Sequence, residues 1–125
     1  MKKQGDAKPA FTLSLAMIAK NEAKNLLVVW QSVKHIIDEF IVVDTGSTDD
    51  TIEVAKNLGA TVYAEGDRFC YTLTEEHVSF FASYGVKTEI GDKIFNFSEA
   101  RNFSFSKCTK QFILWLDCDD ILVQL

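Results

Sequence analysis

Residues 40–51 read FIVVDTGSTDDT, a short β-branched and aromatic run that ends in an acidic, turn-rich loop. The run predicts a buried strand over residues 40–43, and the Gly, Ser and Thr residues after it predict a loop that leads into a helix. Asp44 stands where the strand ends. Residues 40–51 therefore predict a strand–loop–helix unit with a carboxylate at the carboxyl end of its strand.

The same alternation continues on both sides of this unit. Upstream, residues 11–18 (FTLSLAMI) predict a strand buried on both faces, and a helix capped by Asn21 follows, with an apolar face from Leu26 to Ile37. Downstream, a helix that starts in a capping box of Ser47 and Asp50 ends at Gly59, and residues 61–63 form a third strand. Alternating strands and helices predict an α/β fold: three layers, with helices on both faces of a mainly parallel sheet.

The second half of the chain is less regular before it returns to this pattern. Within residues 66–96, we expect a helix over residues 75–84 and a small hairpin over residues 87–97. Ser98 then caps a helix through about residue 107, and residues 112–116 (FILWL) predict another buried strand. The chain thus reads as one domain over residues 11–125, after a disordered lead-in over residues 1–10.

Composition excludes several classes of protein. The chain has 125 residues, of which 47% are hydrophobic, so it can bury a core. Its net charge of −5 argues against a nucleic-acid partner, and no apolar run approaches the roughly 20 residues of a membrane span. The 3 cysteines are odd in number and lack metal-binding spacing, which indicates free thiols and a cytoplasmic location.

Residues 117–120 (DCDD) form a second acidic site at the end of a predicted strand. Ligands of open parallel sheets bind beyond the carboxyl ends of the strands, so this site and Asp44 are expected to border one crevice. Crowded carboxylates favour a hard divalent cation, Mg²⁺ or Mn²⁺, while Cys118 faces away as packing. The alternative is a solvated loop of helix-capping aspartates. An EF-hand is excluded, because the required Gly and later Glu are missing.

Four ordered stretches together resemble family 2 glycosyltransferases, which have the GT-A fold, a Rossmann-like nucleotide-diphospho-sugar transferase architecture. They are residues 15–22 (LAMIAKNE), 41–51 (IVVDTGSTDDT), 98–103 (SEARNF) and 113–120 (ILWLDCDD). The likeness covers roughly residues 13–63 and 97–122. It implies that this chain is the N-terminal, nucleotide-sugar-binding part of such an enzyme.

The resemblance also implies roles for single residues. The nucleobase and ribose would be held by residues at the ends of the first two strands, which are Ala19, Asn21, Glu22 and Asp44. Arg101 would face the nucleotide or its phosphates, although a salt bridge to a nearby carboxylate is the alternative. Asp117 would touch the ribose. Asp119 would hold the metal, Mn²⁺ or Mg²⁺, with Asp117 and Asp120 completing the acidic set.

Two features depart from the family pattern. The Asp or Glu base of these mostly inverting enzymes is expected beyond Leu125, so we expect the chain alone to bind a donor, by preference a UDP sugar, without transferring sugar to an acceptor protein, lipid or glycan. An insertion at about residues 66–96 is either a lid over the donor or an outer hairpin.

The other possible functions are that of a sugar-nucleotide pyrophosphorylase, which would need a Gly-rich loop after the first strand, and that of a non-catalytic nucleotide-binding or interaction module. An open sheet edge would also permit a homodimer.

Overall fold

The computed structural model describes residues 11–121. The lead-in predicted for residues 1–10 and the last residues, 122–125, lie outside the described part. The described elements follow one another along the chain as β1 (Leu13–Ala19), α1 (Ala23–Val33), β2 (Glu39–Asp44), α2 (Thr51–Asn57), β3 (Thr61–Ala64), β4 (Cys70–Thr72), α3 (Glu75–Ser83), β5 (Lys93–Phe95), α4 (Phe97–Ser106) and β6 (Phe112–Trp115).

The core is a four-stranded sheet in the order β3-β2-β1-β6, and every neighbouring pair in it is parallel. Strand β1 lies between β2 and β6, so the first and last predicted strands are neighbours. In its register, Ala19 is opposite Asp44 and Ala16 is opposite Trp115. The predicted α/β fold with a mainly parallel sheet is therefore confirmed.

Helices cover both faces of this sheet because its central strands are apolar on both sides. One face packs against α1 and α2, and the buried cluster there includes Leu15, Met17 and Val29. The other face packs against α4, where Val43, Phe69 and Ala100 form a second cluster. Each fully buried Leu, Met, Val or Phe side chain of these clusters stabilises the fold by about 1.5–3 kcal/mol. The two clusters fix both helical layers, and so fix where the loops at the carboxyl edge of the sheet can lie.

The stretch between β3 and α4 forms a small unit of its own. Strands β4 and β5 pair antiparallel, and α3 lies between them in the chain. Three contacts fasten the unit: Phe69 is fully buried under α4, the Tyr71 hydroxyl donates to Glu99 at 2.6 Å, and the N–H of Asn96 donates to the Phe69 carbonyl at 2.8 Å. The helix predicted over residues 75–84 is present. The predicted hairpin over residues 87–97 is wrong, because β5 pairs with a strand more than twenty residues upstream.

Several helix ends differ from the predicted ones. Helix α1 is capped by Glu22 rather than Asn21 and ends at Val33, so Ile37 lies beyond it. Helix α2 is capped by Asp50 instead of starting in a box with Ser47. Asn96 caps α4, because its side chain accepts the N–H of Glu99 at 3.0 Å, and Ser98 lies inside the helix. The side chains of Asn21 and Ser47 form hydrogen bonds within the loops instead, with Thr48 and Asp44 respectively, and Ser98 comes two residues after the position that caps α4.

Strand β6 is less buried than its apolar sequence predicted. It is the outer strand of the sheet, and Phe112 and Ile113 are 51% and 40% exposed. Apolar composition does not distinguish a central strand from an edge strand, so the expectation of a buried strand over residues 112–116 was wrong for its first residues. The edge leaves one side of β6 without a described partner strand.

Candidate nucleotide and metal site

The loops after β1 and β2 are tied together by Asn21. This residue has a left-handed backbone, with φ of 54°, which Asn tolerates better than most residues. Its side-chain oxygen accepts the N–H groups of Thr48 at 2.7 Å and Asp49 at 3.2 Å, and its own N–H donates to Ser47 Oγ at 2.8 Å. Asn21 therefore links two loops instead of capping a helix.

Thr51 makes the second link between these loops. Its hydroxyl accepts the N–H of Glu22 at 2.9 Å and donates to the carboxylate of Asp49, whose pKa is lowered chiefly by that hydrogen bond. Thr51 is fully buried although it is polar. This role could not be predicted from the sequence, because no local pattern shows that two loops 29 residues apart would meet.

Asp44 organises the loop that follows it. The residue is only 1% exposed, and its carboxylate accepts the N–H groups of Gly46 at 3.1 Å and Ser47 at 2.9 Å as well as the Ser47 hydroxyl. An isolated buried carboxylate would be very costly, and these three donors compensate it. Opposite Asp44, Ala19 is 2% exposed and its carbonyl accepts the N–H of Thr45 at 3.0 Å. Both residues lie at the carboxyl edge of the sheet, as the sequence predicted.

The acidic motif after β6 brings three carboxylates together. One oxygen each of Asp117, Asp119 and Asp120 lies within 4.8 Å of the others, and all three residues are exposed. Partial desolvation of its carboxyl, and then the negative charges of Asp120 and Asp119, raise the pKa of Asp117. The part that comes from the neighbouring charges is a repulsion that a bound cation would relieve. All-oxygen ligands at this spacing fit Mg²⁺ or Mn²⁺, so the residues present suit the predicted metal.

Cys118 points away from this carboxylate group. Its residue is 5% exposed, it belongs to the cluster under α1, and its thiol donates to the Ile18 carbonyl at 3.5 Å. Burial first, and then the charges of Glu22, Asp117 and Asp119, raise the pKa of the thiol to about 12. A thiol that stays protonated is no ligand for a hard cation. The prediction that Cys118 is a packing residue is confirmed.

The two acidic sites lie on the same edge of the sheet but are not in direct contact through any described hydrogen bond. Strand β1 separates β2 from β6, and strands are about 4.8 Å apart, so the two strand ends are about 10 Å apart. Glu22, in the loop after β1, is close enough to the acidic motif for its charge to raise the pKa of the Cys118 thiol. A single ion would not reach both sites, whereas an extended ligand such as a nucleoside diphosphate would.

Arg101 lies on α4 beside β6, where two aromatic rings surround it. Its guanidinium carbon is 5.2 Å from the ring centre of Phe97 and 5.6 Å from that of Trp115. Within residues 11–121 its guanidinium makes no hydrogen bond or ion pair, so the salt bridge considered as the alternative is not formed there. The five N–H donors of the guanidinium remain available to a ligand.

A groove of about 590 Å³ runs along the loops after β1 and β2, between α1 and α2. Asn21, Glu22 and Asp49 line it, but Asp44, Arg101 and the three carboxylates after β6 do not. The structure thus gathers the predicted residues into two neighbouring groups on one edge of the sheet. The carboxylate cluster and Arg101 define the candidate site, because carboxylates favour a divalent cation and a guanidinium favours phosphate oxygens. The shape of an open groove favours no particular ligand.

Within residues 11–121, no helix is both long and apolar enough to cross a membrane.

Comparisons with known proteins agree with this arrangement. The family described as "Glycosyl transferase family 2" matches residues 14–123. An uncharacterised glycosyltransferase of Rickettsia prowazekii is 33% identical over 112 residues, which are 90% of this chain and 29% of that protein. An uncharacterised glycosyltransferase of Rickettsia felis is 52% identical over 50 residues, which are 40% of this chain and 18% of that protein. The chain therefore spans less than a third of the length of these relatives.

Among solved structures, glucosyl-3-phosphoglycerate synthase from Mycobacterium tuberculosis in complex with UDP has a similar fold. It is 28% identical, with a TM-score of 0.54, over 90% of this chain and 35% of that chain. The same synthase was also solved with Mn²⁺, UDP-glucose and phosphoglyceric acid, and there it is 26% identical with a TM-score of 0.53, over 87% of this chain and 33% of that chain.

Proposed function

Because the chain belongs to glycosyl transferase family 2, we propose that it binds a nucleoside-diphosphate sugar, a UDP sugar by preference, together with Mn²⁺ or Mg²⁺. The observation that carries this proposal is the carboxylate cluster of Asp117, Asp119 and Asp120, with oxygens within 4.8 Å of one another, at the edge of a parallel sheet. The Mycobacterium synthase of similar fold was solved with UDP, UDP-glucose and Mn²⁺, which supports the same ligand class here.

Each group of the site has a part in this proposal. Asp119 would hold the metal with help from Asp120, and Asp117 would also contact the ribose. The bound cation would supply positive charge to the diphosphate and so stabilise the departing nucleoside diphosphate. Arg101 would bind phosphate oxygens through paired N–H donors, for which a planar guanidinium is well suited.

The nucleobase and ribose would lie over the loops after β1 and β2. Asn21 holds these loops together, and Glu22 and Ala19 stand at the same edge. Three donors already occupy the Asp44 carboxylate, which leaves about one free lone pair for the imide N–H of a uracil. Asp44 would thus both shape the loop and accept one hydrogen bond from the base.

Among residues 11–121 we assign no catalytic base, and transfer of the sugar to an acceptor is not part of the function that we propose for this chain. The free cysteines among the described residues are in keeping with a reducing cytoplasm. The exposed β6 edge would permit a homodimer.

Calorimetric titration of the 125-residue chain with UDP tests the proposal. We expect binding that weakens about tenfold or more when Mn²⁺ is replaced by EDTA, and by a similar factor in Asp119→Asn. Asp67→Asn is the matched control, because this exposed acid carries the same charge but lies in the turn before β4. ADP and GDP measured alongside UDP test the base preference. Equal affinity with and without metal would support the non-catalytic binding module instead.

A further inference from the structure

Arg101, Phe97 and Trp115 form a closed contact triad beside the acidic motif. The two rings meet edge to face, with centres 5.6 Å apart and planes at 75°, and the guanidinium lies within 5.6 Å of both ring centres. A cation over ring faces is attracted by their negative charge density and loses freedom of rotation. The rings therefore fix the side chain while leaving its N–H donors without a protein acceptor in the described chain.

Trp115 contacts Arg101 through the face of its ring and not through its indole N–H. Its indole N–H is buried and has no hydrogen-bond partner among the described residues, which is a cost that phenylalanine would avoid. Tryptophan offers the strongest ring face for a cation. The neighbours Leu114 and Leu116 pack with the cluster under α1, so Trp115 lies on the opposite, α4-facing side of β6.

The same alternation places the triad next to the metal ligands. The chain is extended over Phe112–Trp115, and the alternation of its side chains places Trp115 and Asp117 on one side. Residues 117–120 then form a turn closed by the hydrogen bond from the N–H of Asp120 to the Asp117 carbonyl at 3.0 Å, and carboxylate oxygens of Asp119 and Asp120 lie within 4.8 Å of one of Asp117. Leu116 and Cys118 lie on the other side, where both join the cluster under α1. Arg101 is thereby held on the side of the acidic motif where a metal-bound diphosphate would project.

We propose that Phe97 and Trp115 are positioning residues that hold the Arg101 guanidinium ready for the phosphates of the donor. The proposal rests on the nucleotide-binding function proposed above. It explains how the chain gains affinity for the diphosphate of the nucleotide. An arginine that is already fixed loses little further freedom when the ligand binds, so more of each hydrogen bond appears as affinity. The rings themselves touch no phosphate, so they act only through Arg101.

The test compares UDP with uridine, and so separates the contribution of the diphosphate to affinity from that of the nucleoside. Affinities for UDP and uridine are measured in Mn²⁺ for the wild type, Trp115→Leu, Trp115→Phe, Arg101→Gln and the double variant Arg101→Gln/Trp115→Leu. We expect Trp115→Leu to weaken UDP binding about fivefold to tenfold and to leave uridine binding unchanged. Trp115→Phe, which keeps a ring face, restores most of the loss. In the double variant, UDP binds no more weakly than in Arg101→Gln alone.

A nucleotide-free measurement guards against loss of folding. In the NMR spectrum of the free wild-type chain, ring currents shift the Arg101 Hε resonance away from its usual position, and Phe97→Leu moves it back. An unshifted resonance overturns the proposal whatever the nucleotide data show. A shifted resonance with equal losses for UDP and uridine, or with additive losses in the double variant, overturns the positioning role alone. Failure of the wild type to bind either ligand overturns the proposed function and this proposal with it.

Discussion

Replacing Asp44 by Asn tests the structural half of the site. The change keeps the shape of the side chain but removes its charge and turns one acceptor oxygen into a donor. In the wild type this carboxylate accepts the N–H groups of Gly46 and Ser47 and the Ser47 hydroxyl, and the residue is 1% exposed. The amide oxygen retains the two N–H donors, and the Ser47 hydroxyl reverses its direction to accept from the new amide.

The expected cost follows from these three hydrogen bonds. A hydrogen bond to a charged group contributes about 1.5–3 kcal/mol and one between neutral groups about 0.5–1.5 kcal/mol, so each bond loses about 1 kcal/mol. We therefore expect the free energy of unfolding to fall by about 2–3 kcal/mol. The loss comes from the loop alone and is present without any nucleotide.

Urea unfolding followed by circular dichroism measures this loss. Asp50→Asn is the matched control, because Asp50 is exposed in the same loop and caps α2 without a side-chain hydrogen bond. A surface change of this kind stays within about 0.5 kcal/mol. An Asp44→Asn variant as stable as the control would refute the loop-organising role and leave Asp44 as a ligand contact only.

Three further predictions concern ionisable groups. The pKa of Asp117 is raised above its usual value of 3.8, so the contribution of this residue to stability falls as pH rises from 3.8 through the folded-state pKa. Asp117→Asn should therefore raise the melting temperature in EDTA and reduce the extra stabilisation by Mn²⁺. A lower melting temperature in EDTA would contradict this prediction. The thiol of Cys118, with its pKa near 12, should react with iodoacetamide at about pH 8 only after unfolding, as peptide mass spectrometry shows; labelling of the folded chain would count against it. Burial would raise the pKa of Glu39, but hydrogen bonds from Ser14 and Thr109 outweigh it and lower the pKa, so its contribution is present above 4.5 and is lost as pH falls through the folded value. Glu39→Gln should therefore flatten the loss of stability between about pH 6 and about pH 3, measured by urea unfolding; an unchanged pH dependence would exclude this role.

The sequence was most informative where local pattern and burial coincide. Residues 13–19 and 39–44 are apolar on both faces because helices cover both sides of the sheet, and that condition is visible as continuous hydrophobicity. The acidic residues at the strand ends could be placed on one edge because parallel connections allow no other arrangement. The parallel direction of the strands and the position of Asp44 and Asp117 near their carboxyl ends were therefore within reach of the sequence.

Long-range pairing was out of reach. The partner of β5 is β4, with α3 between them in the chain, and no local signal distinguishes that pairing from a hairpin around Gly91. The interlocking of Asn21 with the loop after β2 was hidden for the same reason, since a side chain bonded 27 residues away looks like an ordinary helix cap. The ring contacts of Arg101 likewise depend on how α4 packs beside β6, which composition does not specify.

The central claim is that the carboxylates after β6 hold a cation that binds the diphosphate of a nucleotide donor. A crystal structure of the chain with UDP and Mn²⁺, with anomalous data collected at the manganese edge, tests it most directly. We predict an anomalous peak at coordination distance, about 2.0–2.4 Å, from an oxygen of Asp119 and from the UDP diphosphate, with Arg101 contacting the same phosphates. Manganese bound away from residues 117–120, or UDP bound with its diphosphate turned away from them, would contradict the account.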